Sequence, residues 1–347
     1  MIISEKNLQR AMQLHQEYPV VDAHMDLAGE ILLRHKAGEV NIMRRLHMKE
    51  FRQAGLNLLV SSIYIEDDKL PEQGLLNALE QIAIIRREID SLRDAVLIET
   101  KADLQYAIEE NKLGILLYME GLECIGTNEL LLDILWQSGV RGAALVWSRY
   151  SMLATGAPRV SAPQIMPPGG LTPYGADMVK ALEEKGMFID ISHLNDDGVA
   201  HLETIATKPY VASHSNARSL IPCLRNLTDE QMKQVADRGG MIGLNANKHF
   251  SGFDQGGDPI EAMGAQLDYM VHVVGTNHIG YGFDLMDCYN RALPRLKQDI
   301  VLSDAFSDYS QVPLLTASLL EKGYEEADVI KMIGGNWIRY FMDMLPE

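Results

Sequence analysis

Val20-Val21-Asp22-Ala23-His24-Met25-Asp26 reads as an apolar β-strand that ends on two side chains able to hold a metal ion. In an extended chain, residues two apart point to the same side, so His24 and Asp26 converge at the carboxyl end of that strand. A His-x-Asp pair alone is a weak signal. Its weight comes from the other apolar runs. Glu120, His193, His214 and Asp284 each stand at or just past the end of one of them.

Outward from that strand, the pattern alternates. Strands are expected at 19–24, 56–64, 114–119, 142–147, 187–192, 209–213, 241–246 and 278–283, with a short extra strand possible at 95–98. Helices are expected at 74–91, 102–110, 127–137, 175–185, 196–206, 229–238 and 260–272, and three more close the chain at 311–322, 325–332 and 335–345. Thr228-Asp229-Glu230-Gln231 is a capping box, which fixes one helix start. Several strands are apolar on both faces, the mark of a parallel sheet covered by helices. Strand and helix alternating eight times predict an α/β chain folded as a (β/α)8 TIM barrel of the metal-dependent hydrolase type. An open parallel sheet is the alternative. The expected organisation is one catalytic domain over 1–347, with a short helix before the first strand and helices at the end. Residues 25–54 read as an irregular loop plus a helix. Residues 148–174, carrying Pro158, Pro163, Pro167, Pro168, Gly169 and Gly170, read as a long ordered loop. A loop this long in a compact domain is usually functional, so both segments are expected to wall a pocket.

Composition narrows the partners. The chain has 347 residues, is 47% hydrophobic and carries a formal net charge of -17. That supports a sizeable core and argues against binding nucleic acid or an anionic membrane. Cys124, Cys223 and Cys288 are far apart and odd in number, so no disulfide framework is expected. The N-terminus has acidic residues and no continuous apolar stretch, and no run reaches the length of a membrane span. A cytoplasmic location is the expectation.

In a barrel, catalytic groups come from the carboxyl ends of several strands. His24, Asp26, Glu120, His193, His214 and Asp284 all fall there, and such a mixed nitrogen and oxygen set suits zinc or a similar divalent ion. The set exceeds one tetrahedral site, so two ions bridged by a carboxylate use it better. Singly, each residue has a plainer reading. A histidine after a strand is often a hydrogen-bonded structural residue, and Glu120 could sit near a helix N-terminus. Asp22 is expected to point away from His24 and make structural hydrogen bonds. The joint occurrence at several strand ends disfavours the plainer account.

The motifs resemble those of the membrane (renal-type) dipeptidase family, the M19 metallopeptidases of the amidohydrolase superfamily. Val21-Asp22-Ala23-His24-Met25-Asp26-Leu27, Tyr118-Met119-Glu120-Gly121, Asp190-Ile191-Ser192-His193-Leu194, Ala212-Ser213-His214-Ser215-Asn216-Ala217-Arg218, Arg225-Asn226-Leu227 and Gly334-Gly335-Asn336-Trp337-Ile338-Arg339 carry the likeness over nearly the whole chain. The resemblance implies two zinc ions, one held by His24, Asp26 and Glu120, the other by His193 and His214, with Glu120 as bridge. It implies Asp284 as general base and acid beside Glu120, and Arg225 as a bidentate clamp on the substrate carboxylate. Without the resemblance, Arg225 reads equally well as a surface ion pair. Trp147 and Asn247 are assigned to substrate binding. The implied reaction is hydrolysis of a short dipeptide, tolerant of a D-residue at the carboxyl end, by a homodimer. Two departures bear on the substrate. Met286 and Asp287 replace an aspartate and a glycine of the family pattern, and Trp147 replaces a histidine. They leave N-acyl amino acids, lactones or β-lactams as rival substrates. A non-catalytic metal-binding barrel is the rival from another class.

Overall fold

The computed structural model describes residues 2–159, 167–254, 256–293 and 303–347. Among the described residues eight strands form one sheet: β1 (Val20–Met25), β2 (Leu56–Tyr64), β3 (Ala95–Leu97), β4 (Leu113–Glu120), β5 (Val140–Ala144), β6 (Phe188–Asp190), β7 (Ile242–Leu244) and β8 (Ile279–Tyr281). Every residue of β1, β2 and β4 is buried, as expected where helices cover one face and side chains fill the other. All the ladders are parallel, and the strand order is β6-β5-β4-β2-β1-β8-β7, with β3 added on the flank of β4.

The sheet does not close, which corrects the (β/α)8 TIM barrel expected from the alternation. It curls through 197° and its edges stay 10 Å apart, an open half-barrel. The strand expected at 209–213 does not form. Pro209 lacks a backbone N–H, and beyond it only Val211 and Ala212 pair, through single bridges to Asp190 and Ile242. The neighbouring strands β6 and β7 are three residues each, too short to extend those bridges into a ladder. The count of eight is reached through β3, foreshadowed at 95–98, and not through a closing strand.

The segment after β1 is more regular than expected. A helix at Leu27–Lys36 starts directly on Asp26 and buries Leu27, Ala28, Ile31 and Leu32. It is followed by a π-helical turn at Met43–His47 and a helix at Met48–Gln53. The capping box at Thr228 and Gln231 is present and starts the helix Asp229–Asp237. At the amino ends of the strands, Val21, Leu58, Leu116 and Val211 pack with Trp337, Tyr340 and Phe341 from the final helix, Asn336–Met344. The Trp337 indole donates to the Tyr281 carbonyl (3.0 Å). It leaves no room at Gly280, where a Cβ would sit 2.3 Å from Nε1. In the long loop, Tyr150 bridges Thr155 and Gly156 bridges Leu194, while 160–166, with Pro163, lie outside the described residues. No helix among the described residues is long and apolar enough to cross a membrane.

Candidate metal centre

The parallel sheet brings all its carboxyl ends to one side, so residues far apart in sequence meet there. His24 and Asp26 come from the end of β1, and Glu120 is the last residue of β4. His193 and His214 follow β6 and the short bridged segment beside it. Asp284 follows β8. The side chains of the first five are buried, and that of Asp284 is part-buried at 14% exposed.

The Nε2 atoms of the three histidines face one carboxylate oxygen, Glu120 Oε1, at 3.6 Å (His24), 2.9 Å (His193) and 3.5 Å (His214). Asp26 and Asp284 also approach His24 Nε2, at 3.9 and 3.6 Å. Donor atoms of His24, Glu120 and His214, and those of His24, Asp26 and Asp284, lie within 4.8 Å of one another. The grouping differs from a simple division by strand, because the His24 and His214 rings lie 3.6 Å apart and share the middle of the site.

Hydrogen bonds orient each ring through Nδ1. Tyr118 Oη meets His24 Nδ1 at 2.5 Å, Ser148 Oγ meets His193 Nδ1 at 2.8 Å, and Ser213 Oγ meets His214 Nδ1 at 2.7 Å. The last contact fixes a tautomer. Ser213 donates its proton to Asp190 (2.5 Å), so toward His214 it can only accept. Nδ1 of His214 therefore carries the hydrogen, and Nε2 keeps its lone pair for a ligand. Asp190 also accepts from the Ser192 and Ser213 backbone N–H groups, both at 3.0 Å, and so ties the two histidine-bearing turns together. Asp22 behaves similarly beneath β1. The β1–β2 register shifts between Asp22 and Met25. There the Asp22 carboxylate accepts from the His24 and Phe283 N–H groups and from Tyr309.

The electrostatics fit a cationic ligand. Burial holds His24, His193 and His214 well below the usual imidazole pKa, so the rings are neutral and can ligate. Burial raises the carboxyl of Glu120, helped by the charges of Asp26 and Asp284, and burial and Asp26 likewise raise Asp284. Three acids crowded beneath the cavity repel one another, and His24 Nε2 is buried with no hydrogen-bond partner among the described residues. Divalent cations would relieve both. Asp284 itself sits at φ +56°, a left-handed conformation that aspartate tolerates better than most residues. Its N–H donates to the His24 carbonyl (3.1 Å) and its Oδ2 accepts from Asn245 (3.0 Å), which aims Oδ1 at the site.

A cavity of about 400 Å³ opens over this cluster. Asp26, Glu120, His193 and Asp284 form its floor, and Trp147, Asn247, Phe250 and Met286 stand in its walls. Asn247 Oδ1 caps the short helix Lys248–Ser251 by accepting from the His249 N–H (3.0 Å). Trp147 stacks on His193 with ring centres 5.5 Å apart. Arg225 lies behind the wall, 2% exposed. It donates to Ser215 Oγ (2.8 Å) and the His214 carbonyl (3.0 Å), while its Nε has no partner. Among the described residues no carboxylate pairs with it, so the surface ion pair read as its plainer alternative is absent. Asp287 is turned away from the cavity and accepts from the Ser303 N–H (2.9 Å).

Sequence reasoning missed Tyr118, Ser148 and Asn245. Tyr118 was accessible, since it lies two residues before Glu120 on the same strand face. Ser148 and Asn245 carried no signal, because their roles arise from contacts between different strand ends.

A family model described as membrane dipeptidase (peptidase family M19) matches residues 8–344. An uncharacterized protein in the pqqA 5' region of Klebsiella pneumoniae is 29% identical over 273 residues, 77% of this chain and 96% of its own. Dipeptidase 3 of Mus musculus is 26% identical over 96% of this chain and 66% of its own. Among solved structures, a metallo peptidase from Rhodobacter sphaeroides liganded with a phosphinate mimic of L-Ala-D-Ala superposes with TM-score 0.80 and 24% identity, over 94% of this chain and 99% of that one. That last likeness is one of fold.

Proposed function

The chain belongs to peptidase family M19, the membrane dipeptidases, and is a metallodipeptidase; on that premise we propose that it works with two zinc ions and accepts a D-residue at the carboxyl end of its dipeptide. The observation that carries this reading is the convergence of three imidazole Nε2 atoms on one oxygen of Glu120, with Asp26 and Asp284 at 3.9 and 3.6 Å from His24 Nε2. His24, Asp26 and Glu120 would hold one ion, and His193, His214 and Glu120 the other. When bound, the ions supply Lewis acidity that polarises a carbonyl and acidifies a water. Asp284 takes the proton of the attacking water at Oδ1 and returns it to the departing amine. Its Oδ1, 3.6 Å from His24 Nε2, faces the cluster where that water would sit. Asn245 holds its other oxygen and keeps the first one aimed. Arg225, unpaired at Nε, would receive the substrate α-carboxylate, with Trp147 and Asn247 lining its path. Tolerance of a D-residue is proposed because the Rhodobacter sphaeroides relative holds a mimic of L-Ala-D-Ala. One catalytic domain, a homodimeric state and a cytoplasmic location belong to the same proposal.

The test is Asp284→Asn assayed on L-Ala-D-Ala with zinc. The expected result is a kcat lower by about 10²- to 10⁴-fold, with about two divalent ions per chain still bound. Normal turnover in that variant would remove Asp284 as the base. One ion or none in the reconstituted wild type would remove the binuclear site. Trp147 and Met286 in the cavity wall favour a second reading, hydrolysis of N-acyl amino acids, lactones or β-lactams. Faster turnover of any of these than of dipeptides would select it.

A further inference from the structure

The cavity over the metal centre has a cation that the reaction does not use. Arg159 lies in the cavity wall, and its Cζ sits 4.2 Å from the centre of the Trp147 ring. Among the described residues no carboxylate pairs with it. The neighbouring Arg149 also approaches Trp147, at 4.8 Å, but it is committed. It pairs with Asp67 and Glu123 and donates to the Ile65 carbonyl (3.0 Å). The other charged groups of the walls are engaged as well. His249 lies 3.5 Å from Asp254, and Glu66 accepts from Tyr289 (3.1 Å). Asp26, Glu120 and Asp284 belong to the floor. Arg159 is therefore a permanent charge whose contact is an aromatic face, and a guanidinium on such a face keeps its N–H edge free for a planar acceptor.

Its position relative to the chemistry is also defined. Trp147 stacks at once on His193 and under Arg159. Burial is the largest influence on Asp26 and on His193, and Arg159 acts on both as a nearby charge. Arg225 is held elsewhere, by Ser215 and the His214 carbonyl. Among the described residues Arg159 is the guanidinium that lines the cavity, while Arg225 lies behind its wall; on the dipeptidase reading the α-carboxylate goes to Arg225, which leaves Arg159 for a second acidic group.

We infer that Arg159, seated on Trp147, is a specificity residue that selects dipeptides carrying a side-chain carboxylate. This rests on the dipeptidase reading above. A carboxylate meets the guanidinium in a two-bonded, charge-assisted contact, which a side-chain amide of equal size cannot match. The indole at position 147 holds the guanidinium in place without neutralising it.

The experiment compares kcat/KM for acid and amide twins that differ in one group: L-Ala-D-Glu against L-Ala-D-Gln, and L-Glu-D-Ala against L-Gln-D-Ala. The wild type is expected to favour the acid by about tenfold or more at one of the two positions. Arg159→Met is expected to bring that ratio close to one, and Arg159→Lys to keep part of it. A wild-type ratio near one at both positions overturns the inference and leaves the dipeptidase reading intact. So does a ratio that survives Arg159→Met. Failure to hydrolyse any of the four peptides takes down both readings together.

Discussion

At the scale of single residues, the site is organised by groups that never touch the reacting atoms. Asp190 is the clearest. It accepts from the Ser213 hydroxyl and from two backbone N–H groups, and through Ser213 it sets the tautomer of His214. Partners of this kind raise ligand basicity and hold ring orientation, and their loss commonly weakens metal binding by about 10- to 100-fold. Asp190→Ala is therefore expected to lose zinc in a chelator competition about 10- to 100-fold more readily than wild type. An unchanged affinity would show that Ser213 orients His214 unaided. The candidate ligands were legible as residues that converge, since His24, Asp26, Glu120, His193 and His214 all stand at the ends of apolar runs and their side chains meet. Ser148 and Asn245 were not, because nothing local distinguishes a serine or asparagine that will meet a side chain from another strand.

At the scale of elements, the helix Leu27–Lys36 carries a buried ion pair one turn after Asp26. Glu30 is fully buried and faces His47 Nε2 at 3.1 Å, while His47 Nδ1 faces Glu50 at 3.1 Å and Arg34 binds Glu30 at 2.6 Å. Burial alone would pull the His47 pKa down, but Glu30 and Glu50 outweigh it and raise it to about 9. Burial would push Glu30 up, but His47 and Arg34 outweigh it and bring it down to about 2. The signs follow from linkage. The histidine contribution is complete below its ordinary value of 6.5 and is lost as pH rises through about 9. The glutamate contribution is complete above 4.5 and is lost as pH falls through about 2. His47→Gln is expected to cost about 3 kcal/mol near neutral pH, because Glu30 stays buried with one partner fewer. The stability difference between wild type and variant should shrink as pH rises from 6.5 past 9. Denaturant melts across that range check it, and a constant difference would mean His47 is neutral in the fold. The sequence read this region as an irregular loop plus a helix, since Arg44, Arg45 and Lys49 obscure a periodicity that tertiary contact with Glu88 and Ser91 makes regular.

At the scale of the molecule, an open sheet must be held from below as well as from its edges. Trp337 does this. It is fully buried, packs among residues from β1, β2 and β4, and hydrogen-bonds the Tyr281 carbonyl next to β1. Trp337→Ala is expected to cost about 3–5 kcal/mol, the range for removing a large aromatic side chain from a core. Equilibrium unfolding in denaturant measures it, and a loss below about 1 kcal/mol would show that the final helix is dispensable to the sheet.

The sequence by itself determined that His24, Asp26, Glu120, His193, His214 and Asp284 meet at the candidate metal centre, because strand-end positions in a parallel sheet necessarily come to the same side. It also determined the alternation of strands and helices and the capped start at Thr228, which are local properties of the chain. Only the tertiary structure decided that the sheet stays open. Closure depends on whether the residues after Pro209 form a ladder with β6 and β7, and that is a matter of long-range pairing. The apolar run at 209–213 looks like a strand locally, yet its partners are too short to complete one. The tertiary structure likewise decided which nitrogen of His214 carries the proton and where Arg159 rests. Both depend on neighbours that the chain brings together only when it folds.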